Sequence, residues 1–213
     1  MSPRAYRMQA REAAAERTRA RIVAAARRLL SARGGIGAFT IDAVAGRAGV
    51  ARTTVYDQFG AKIALIEAVF DSLEIVRTGV PRLVGALALP DPLETLQAFV
   101  ATFAEVWQPD RLVIRRLQGL AAVDREFARV WRRREERRRE GLRIIVQRIG
   151  ASDQARQQTA PFDADLVTDV LFAIVAFETY DVIAGPRRME DVAPAIGQLA
   201  RDALGIARAP DPS

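Results

Sequence analysis

Between Phe39 and Leu65 the chain reads FTIDAVAGRAGVARTTVYDQFGAKIAL, two short helical patterns separated by one glycine. Ile41, Val44, Ala45 and Ala48 recur at i, i+3, i+4 and i+7 behind Thr40, whose hydroxyl suits a helix N-cap. Gly49 can end that helix in a left-handed turn at no steric cost. Val50 then returns to the core, and Arg52–Phe59 forms a second pattern with Val55 and Phe59 four apart. Its other face carries Arg52, Thr53, Thr54, Tyr56 and Gln58. An apolar seam that fixes a crossing and leaves a polar helix outside is the construction of a helix-turn-helix. A helical hairpin inside any all-α domain would carry the same seam, so spacing alone leaves both readings open.

The distribution of charge separates this end from the rest. Residues 1–60 hold eleven arginines against Glu12, Glu16, Asp42 and Asp57, a net of +7, whereas the remaining 153 residues sum to −1. A basic module on a near-neutral body suits a polyanion at one end only. The chain contains neither Cys nor His, which removes disulfides, thiolate nucleophiles, histidine bases and the commonest metal ligands. No metal or cofactor is expected, and no paired acidic motif suggests an enzyme. The segment GGIG at 34–37 stops a helix and lacks the context of a nucleotide loop. The longest uncharged run, Thr95–Ala104, is ten residues, far below the roughly 20 needed to span a bilayer. The amino-terminal residues offer no apolar targeting core, and a cytoplasmic location is expected.

Taken in order, Met1–Met8 reads as a basic arm and about Ala13 to Arg33 as a long helix with Ile22, Ala26, Leu29 and Leu30 inward. Ile36 and Phe39 fold beneath it as a lid. Ala61–Thr78 reads as a linking helix, closed by Gly79-Val80-Pro81. Asp91-Pro92-Leu93-Glu94 is a helix start with Phe99, Phe103 and Trp107 on one face beyond it. Asp110–Val123 follows, and Asp124 opens a helix to about Ile149. The run RRREERRRE at 132–140 within it reads as a solvated face whose charges pair at helical spacing. Arg134 and Arg138 continue the apolar face by phase, so either can turn inward toward a carboxylate or snorkel to water. Gly150–Pro161 reads as a polar loop, Phe162–Ala184 as the most apolar helix, and about Met189–Ile206 as a last helix with Val192, Ile196, Leu199, Ala203 and Leu204 in one stripe.

Three segments, RIVAAARRLLSARG, TIDAVAGRAGV and TTVYDQFGAKIAL, together make Arg21–Leu65 resemble the DNA-binding domain of the TetR (tetracycline-repressor) family of bacterial regulators. The resemblance implies an all-α fold of about nine helices. Residues 1–60 would be a three-helix helix-turn-helix domain with a basic arm, 61–206 a helical ligand-binding and dimerisation domain, and 207–213 a tail. It implies a double-stranded DNA operator, an unidentified small-molecule effector, and a homodimer formed through the last two helices, about 162–206. It carries DNA contacts onto Thr40, Arg47, Arg52, Thr53, Thr54, Tyr56, Gln58 and Lys62. Thr40 and Lys62 would sit at helix starts, where backbone N–H groups hold phosphate. Tyr56 would reach the backbone, and Gln58 can read adenine. Three positions depart from the family pattern: Ala51 lacks the usual capping serine, Asp57 brings a carboxylate toward phosphate, and Gln58 replaces a frequent histidine.

Candidate ligand contacts in the body are Phe99, Phe103, Trp107, Leu117, Leu120, Trp131, Phe172, Phe177 and Tyr180, each of which also fits as plain core. Glu178 interrupts an apolar helix and is expected to be a buried carboxylate with a cationic partner. A helical adaptor that binds protein and an enzyme independent of His and Cys remain the alternatives to a ligand-responsive repressor.

Overall fold

The computed structural model describes residues 3–32, 34–151 and 163–204. The expected loop beyond Ala151, Phe162, Ile206 and the tail lie outside them. The described residues are helical, with no strand among them. In chain order the α-helices are α1 (Pro3–Ser31), α2 (Ile41–Ala48), α3 (Arg52–Phe59), α4 (Lys62–Asp71), α5 (Val80–Ala86), α6 (Pro92–Trp107), α7 (Arg111–Val123), α8 (Arg125–Gly150), α9 (Ala164–Ile174), α10 (Phe177–Ala184) and α11 (Ala193–Ala203). The all-α expectation holds. Among the described residues no helix is long and apolar enough to cross a membrane.

The chain divides into two compact units, one of Met1–Leu73 with Leu112–Val130, the other of Glu74–Arg111 with Trp131–Ser213. The packed units change over at Leu73–Glu74 and the first takes in a later segment, whereas the resemblance implies a boundary between residues 60 and 61.

In the first unit α2 packs on α1 and α3, and α4 closes against both α1 and α3. Ile22, Ala25, Ala26 and Leu30 of α1 meet a core completed by Val44, Val55, Leu65, Val69 and Leu117, all buried. Arg116 on α7 donates to the Leu30 carbonyl, satisfying one of the carbonyls that the last turn of α1 leaves without a helical partner. The helical backbone begins at Pro3, ahead of the expected Ala13. Proline is tolerated in a first turn, where its missing N–H would have no partner anyway. The expected arm is therefore helical from residue 3.

In the second unit Asp91 caps α6 by accepting from Leu93 N at 2.8 Å, with Pro92 behind it. The α6 face buries Phe99, Phe103 and Trp107, and α8 buries Leu142, Ile145 and Ile149, with the Phe99 ring 3.1 Å from where a Cβ on Gly141 of α8 would stand. Two expected helices are broken. The linking helix stops at Asp71, where Ser72 Oγ donates back to the Val69 carbonyl at 2.6 Å. After it, Glu74 N donates to buried Asp110 at 2.8 Å, and Ile75–Gly79 winds as a π turn into α5. The helix expected over 162–184 is two helices, α9 and α10, with Ala176 extended between them (φ −73°, ψ 149°). No Gly or Pro marks that break. Its carbonyls are satisfied from outside the ladder: Thr179 Oγ1 donates to Ala173 O at 2.7 Å and Arg138 Nη1 to Val175 O at 2.7 Å. The last helix is likewise shorter, a 3-10 turn at Glu190–Val192 leading into α11.

Candidate nucleic-acid interface

Thr40 Oγ1 accepts from Ala43 N at 3.1 Å, which caps α2 and leaves the threonine exposed at the helix start. Gly49 ends α2 at φ 64°, ψ 42°, and Val50 N closes on the Ala45 carbonyl at 3.1 Å. That turn aims α3. Ala51 provides no side-chain cap, as its methyl group dictates. Val55 and Phe59 are buried, whereas Arg52, Thr53, Tyr56 and Asp57 are exposed and Thr54 and Gln58 half-buried. Tyr56 is 40% exposed. Arg47 on α2 and Lys62 at the start of α4 are also exposed, so all eight predicted DNA residues lie on α2, α3 or the starts of α2 and α4.

Two of the cations are engaged within the domain. Arg52 Nη1 donates to Asp42 Oδ2 at 2.7 Å, and its Nη2 lies 3.4 Å from the Tyr56 hydroxyl. Tyr56 and Asp42 together hold the guanidinium's pKa above its ordinary value. Lys62 Nζ stands 5.3 Å from the Phe39 ring centre. These contacts position the first turns of α3 and α4 against their neighbours.

Arg19 and Asp42 are site residues that sequence reasoning missed. Arg19 on α1 donates to the Gln58 carbonyl at 2.9 Å and lies 4.2 Å above the Phe59 ring, fixing the far end of α3. Only an arginine spaced along α1 signals it, and nothing local ties that residue to a carbonyl 39 positions away.

Residues 22–69 match the family model for bacterial regulatory proteins of the tetR family. The chain carries a TetR-family DNA-binding domain. Solved structures extend the likeness to the whole TetR-type fold. PfmR, a TetR-family transcriptional regulator from Thermus thermophilus, is 23% identical with a TM-score of 0.64, covering 88% of this chain and 99% of its own. A TetR-like transcriptional regulator from a Rhodococcus species is 21% identical with a TM-score of 0.61, covering 88% and 96%. RolR, solved with its ligand resorcinol, is 25% identical with a TM-score of 0.50, covering 93% and 97%. Comparison with curated proteins gives no match.

The predicted ligand residues are placed differently from one another. Phe103 stacks on Trp107 at 4.6 Å, and Phe99, Phe177 and Tyr180 meet this pair edge-on at 5.3–6.1 Å. These five are buried and form one aromatic core. The Tyr180 hydroxyl donates to the Val100 carbonyl at 2.9 Å, and burial pushes its pKa upward. Trp131 and Phe172 are half-buried. Leu117 and Leu120 are buried in the first unit.

Glu178 corrects an expectation. It is exposed, because the break at Ala176 puts it in the first turn of α10, where a carboxylate complements the helix dipole. A cation is buried instead: the Arg138 side chain is 8% exposed. A separate open groove of about 630 Å³ between α6 and the α11 end is lined by Ala98, Ala101, Glu105, Ala193, Gly197 and Arg201 among others, and by none of the ten predicted ligand residues.

Proposed function

We propose that this chain is a ligand-responsive transcriptional repressor that binds a near-palindromic operator as a homodimer and is released by a small molecule. The observation that carries the reading is the exposed face of α3, Arg52, Thr53 and Tyr56, standing on buried Val55 and Phe59 in a domain with net charge +7 over residues 1–60. Thr40, Lys62 and Arg47 surround α3 as phosphate-positioning groups, while Thr53 and Gln58 read base edges. One short helix reads only a few base pairs, so operator specificity calls for two half-sites and a two-fold dimer.

For the dimer, α9 and α11 supply an apolar surface: Leu166 and Leu199 are 60% and 47% exposed, and Val170 is exposed beside them. Association of two such faces buries side chains that otherwise cost free energy in water. The solved complex of RolR with resorcinol supports a small-molecule effector. An effector releases the operator only by binding the non-DNA state more tightly than the DNA-competent one.

Selection of bound fragments from a randomised duplex pool at low ionic strength tests this directly. The expected product is an inverted repeat, with affinity falling steeply as salt rises. Enrichment of no sequence, with binding insensitive to Thr53→Ala and Gln58→Ala, would refute it.

A further inference from the structure

Arg138 lies within the charged run of α8, yet its guanidinium is folded into the second unit. Nη1 donates to the Val175 carbonyl at 2.7 Å and Nη2 to Glu135 Oε2 at 2.6 Å. The cation lies 4.1 Å from the Phe172 ring centre and 5.9 Å from that of Trp107. Its Nε is buried and makes no hydrogen bond. A guanidinium presents Nε–H and one Nη–H as a parallel fork that matches the two oxygens of a carboxylate. Glu135, three residues away on the same helix, supplies an oxygen to the Nη2 prong alone. A buried donor without an acceptor is costly, and more so on a charged group.

We infer that Arg138 is the anchor for a monocarboxylate effector with an apolar body, whose carboxylate takes the Nε prong and competes with Glu135 for the fork. This rests on the ligand-responsive reading above and names the chemistry of the effector. The half-buried Phe172 ring, 4.1 Å from the guanidinium, provides apolar company for the rest of such a molecule. A neutral alcohol offers a single oxygen without charge and cannot span the two prongs. A phosphate dianion would add a second negative charge beside Glu135 and Glu178, both of which already act electrostatically on Arg138. One negative charge on a planar two-oxygen group is the best match.

The test uses the full chain and four probes: benzoate and octanoate, with benzyl alcohol and octanol as neutral counterparts. Calorimetric titration should show saturable binding of at least one carboxylate and of neither alcohol. Arg138→Met should abolish that binding, and Arg138→Lys should weaken it more than tenfold, because an ammonium lacks the fork. Glu135→Gln, which keeps an acceptor but removes the competing charge, should tighten it severalfold. A purely structural role for Arg138 would not produce that gain. The inference is overturned if neither carboxylate binds, if Arg138→Met binds as well as the parent, or if Glu135→Gln leaves affinity unchanged or lower. The last variant decides the matter even where Arg138→Met fails to fold. Duplex binding is measured on the same samples. Operator binding intact without any carboxylate binding sinks the anchor alone, and carboxylate binding without duplex binding sinks the regulatory reading.

Discussion

Substituting Asp42 separates two roles for the arginine that leads α3. In the DNA-free protein Arg52 is held by Asp42 and Tyr56, and both members of the ion pair are more than half exposed. Exposed ion pairs hold weakly, so phosphate can take Arg52 from Asp42 at little cost. Each phosphate contact contributes about 0.9 to the slope of log affinity against log salt, so raising salt from about 50 to about 200 mM weakens each contact by about 3.5-fold. Arg52→Ala in both protomers of the proposed dimer should therefore flatten the fall over that range by about 12-fold. Asp42→Asn should do the opposite: duplex affinity rises at low salt, because a repulsive carboxylate is gone and the arginine is released. The same change removes an acidic group from the first turn of α2, a loss of about 0.5 kcal/mol in folding stability. Fluorescence anisotropy with a labelled operator across a salt series measures both variants, and urea melts measure the stability term. If Arg52 serves only as a strut between α2 and α3, both substitutions break the strut and weaken DNA binding alike. A fall in affinity for Asp42→Asn matching that for Arg52→Ala would refute the phosphate role.

Other outcomes follow from single contacts. Gly49→Ala should cost about 1–2 kcal/mol in a urea melt, all of it from backbone conformation, since an added Cβ at φ 64° meets nothing within 4 Å. Thr40→Ala removes the bond from Ala43 N and should cost about 1 kcal/mol by the same measurement. Tyr180→Phe, with the hydroxyl-to-Val100 bond lost in a fully buried site, should cost about 1 kcal/mol while leaving duplex affinity unchanged. Leu166→Arg combined with Leu199→Arg should give a folded monomer in sedimentation velocity with weakened operator binding; an intact dimer would exclude this face as the interface.

The helix-turn-helix was legible because its determinants are local. Thr40 caps from three residues away, Gly49 supplies the left-handed turn, and the 3.6-residue period of Val55 and Phe59 sets which face is buried. The caps at Asp91 and Asp124 were legible for the same reason. What sequence reading could not reach depends on partners far along the chain. The break before Phe177 carries no glycine or proline and is held open by Arg138, 37 residues away from the carbonyl it binds. Once that break forms, the phase of α10 changes, which is why Glu178 faces water while Tyr180 is buried. The pairing of Arg52 with Asp42 likewise requires the crossing of α2 and α3, and period alone does not specify which outward cations that crossing ties down.

The arginine that α7 lends to the carbonyl end of α1 bears on how this protein is born. Gly35 at φ 55° leaves room for that side chain, with Arg116 Nε only 3.3 Å from where a Cβ would stand. At ribosomal rates of about 5–20 residues per second, α1 to α4 emerge several seconds before the segment that completes their unit. During that interval the nascent reading head is unfinished, its Leu30 carbonyl still hydrated and its hydrophobic underside awaiting Leu117. A fragment cut after Leu73 would lack both partners, and its hold on a duplex is expected to fall below that of the polypeptide that has doubled back on its own beginning.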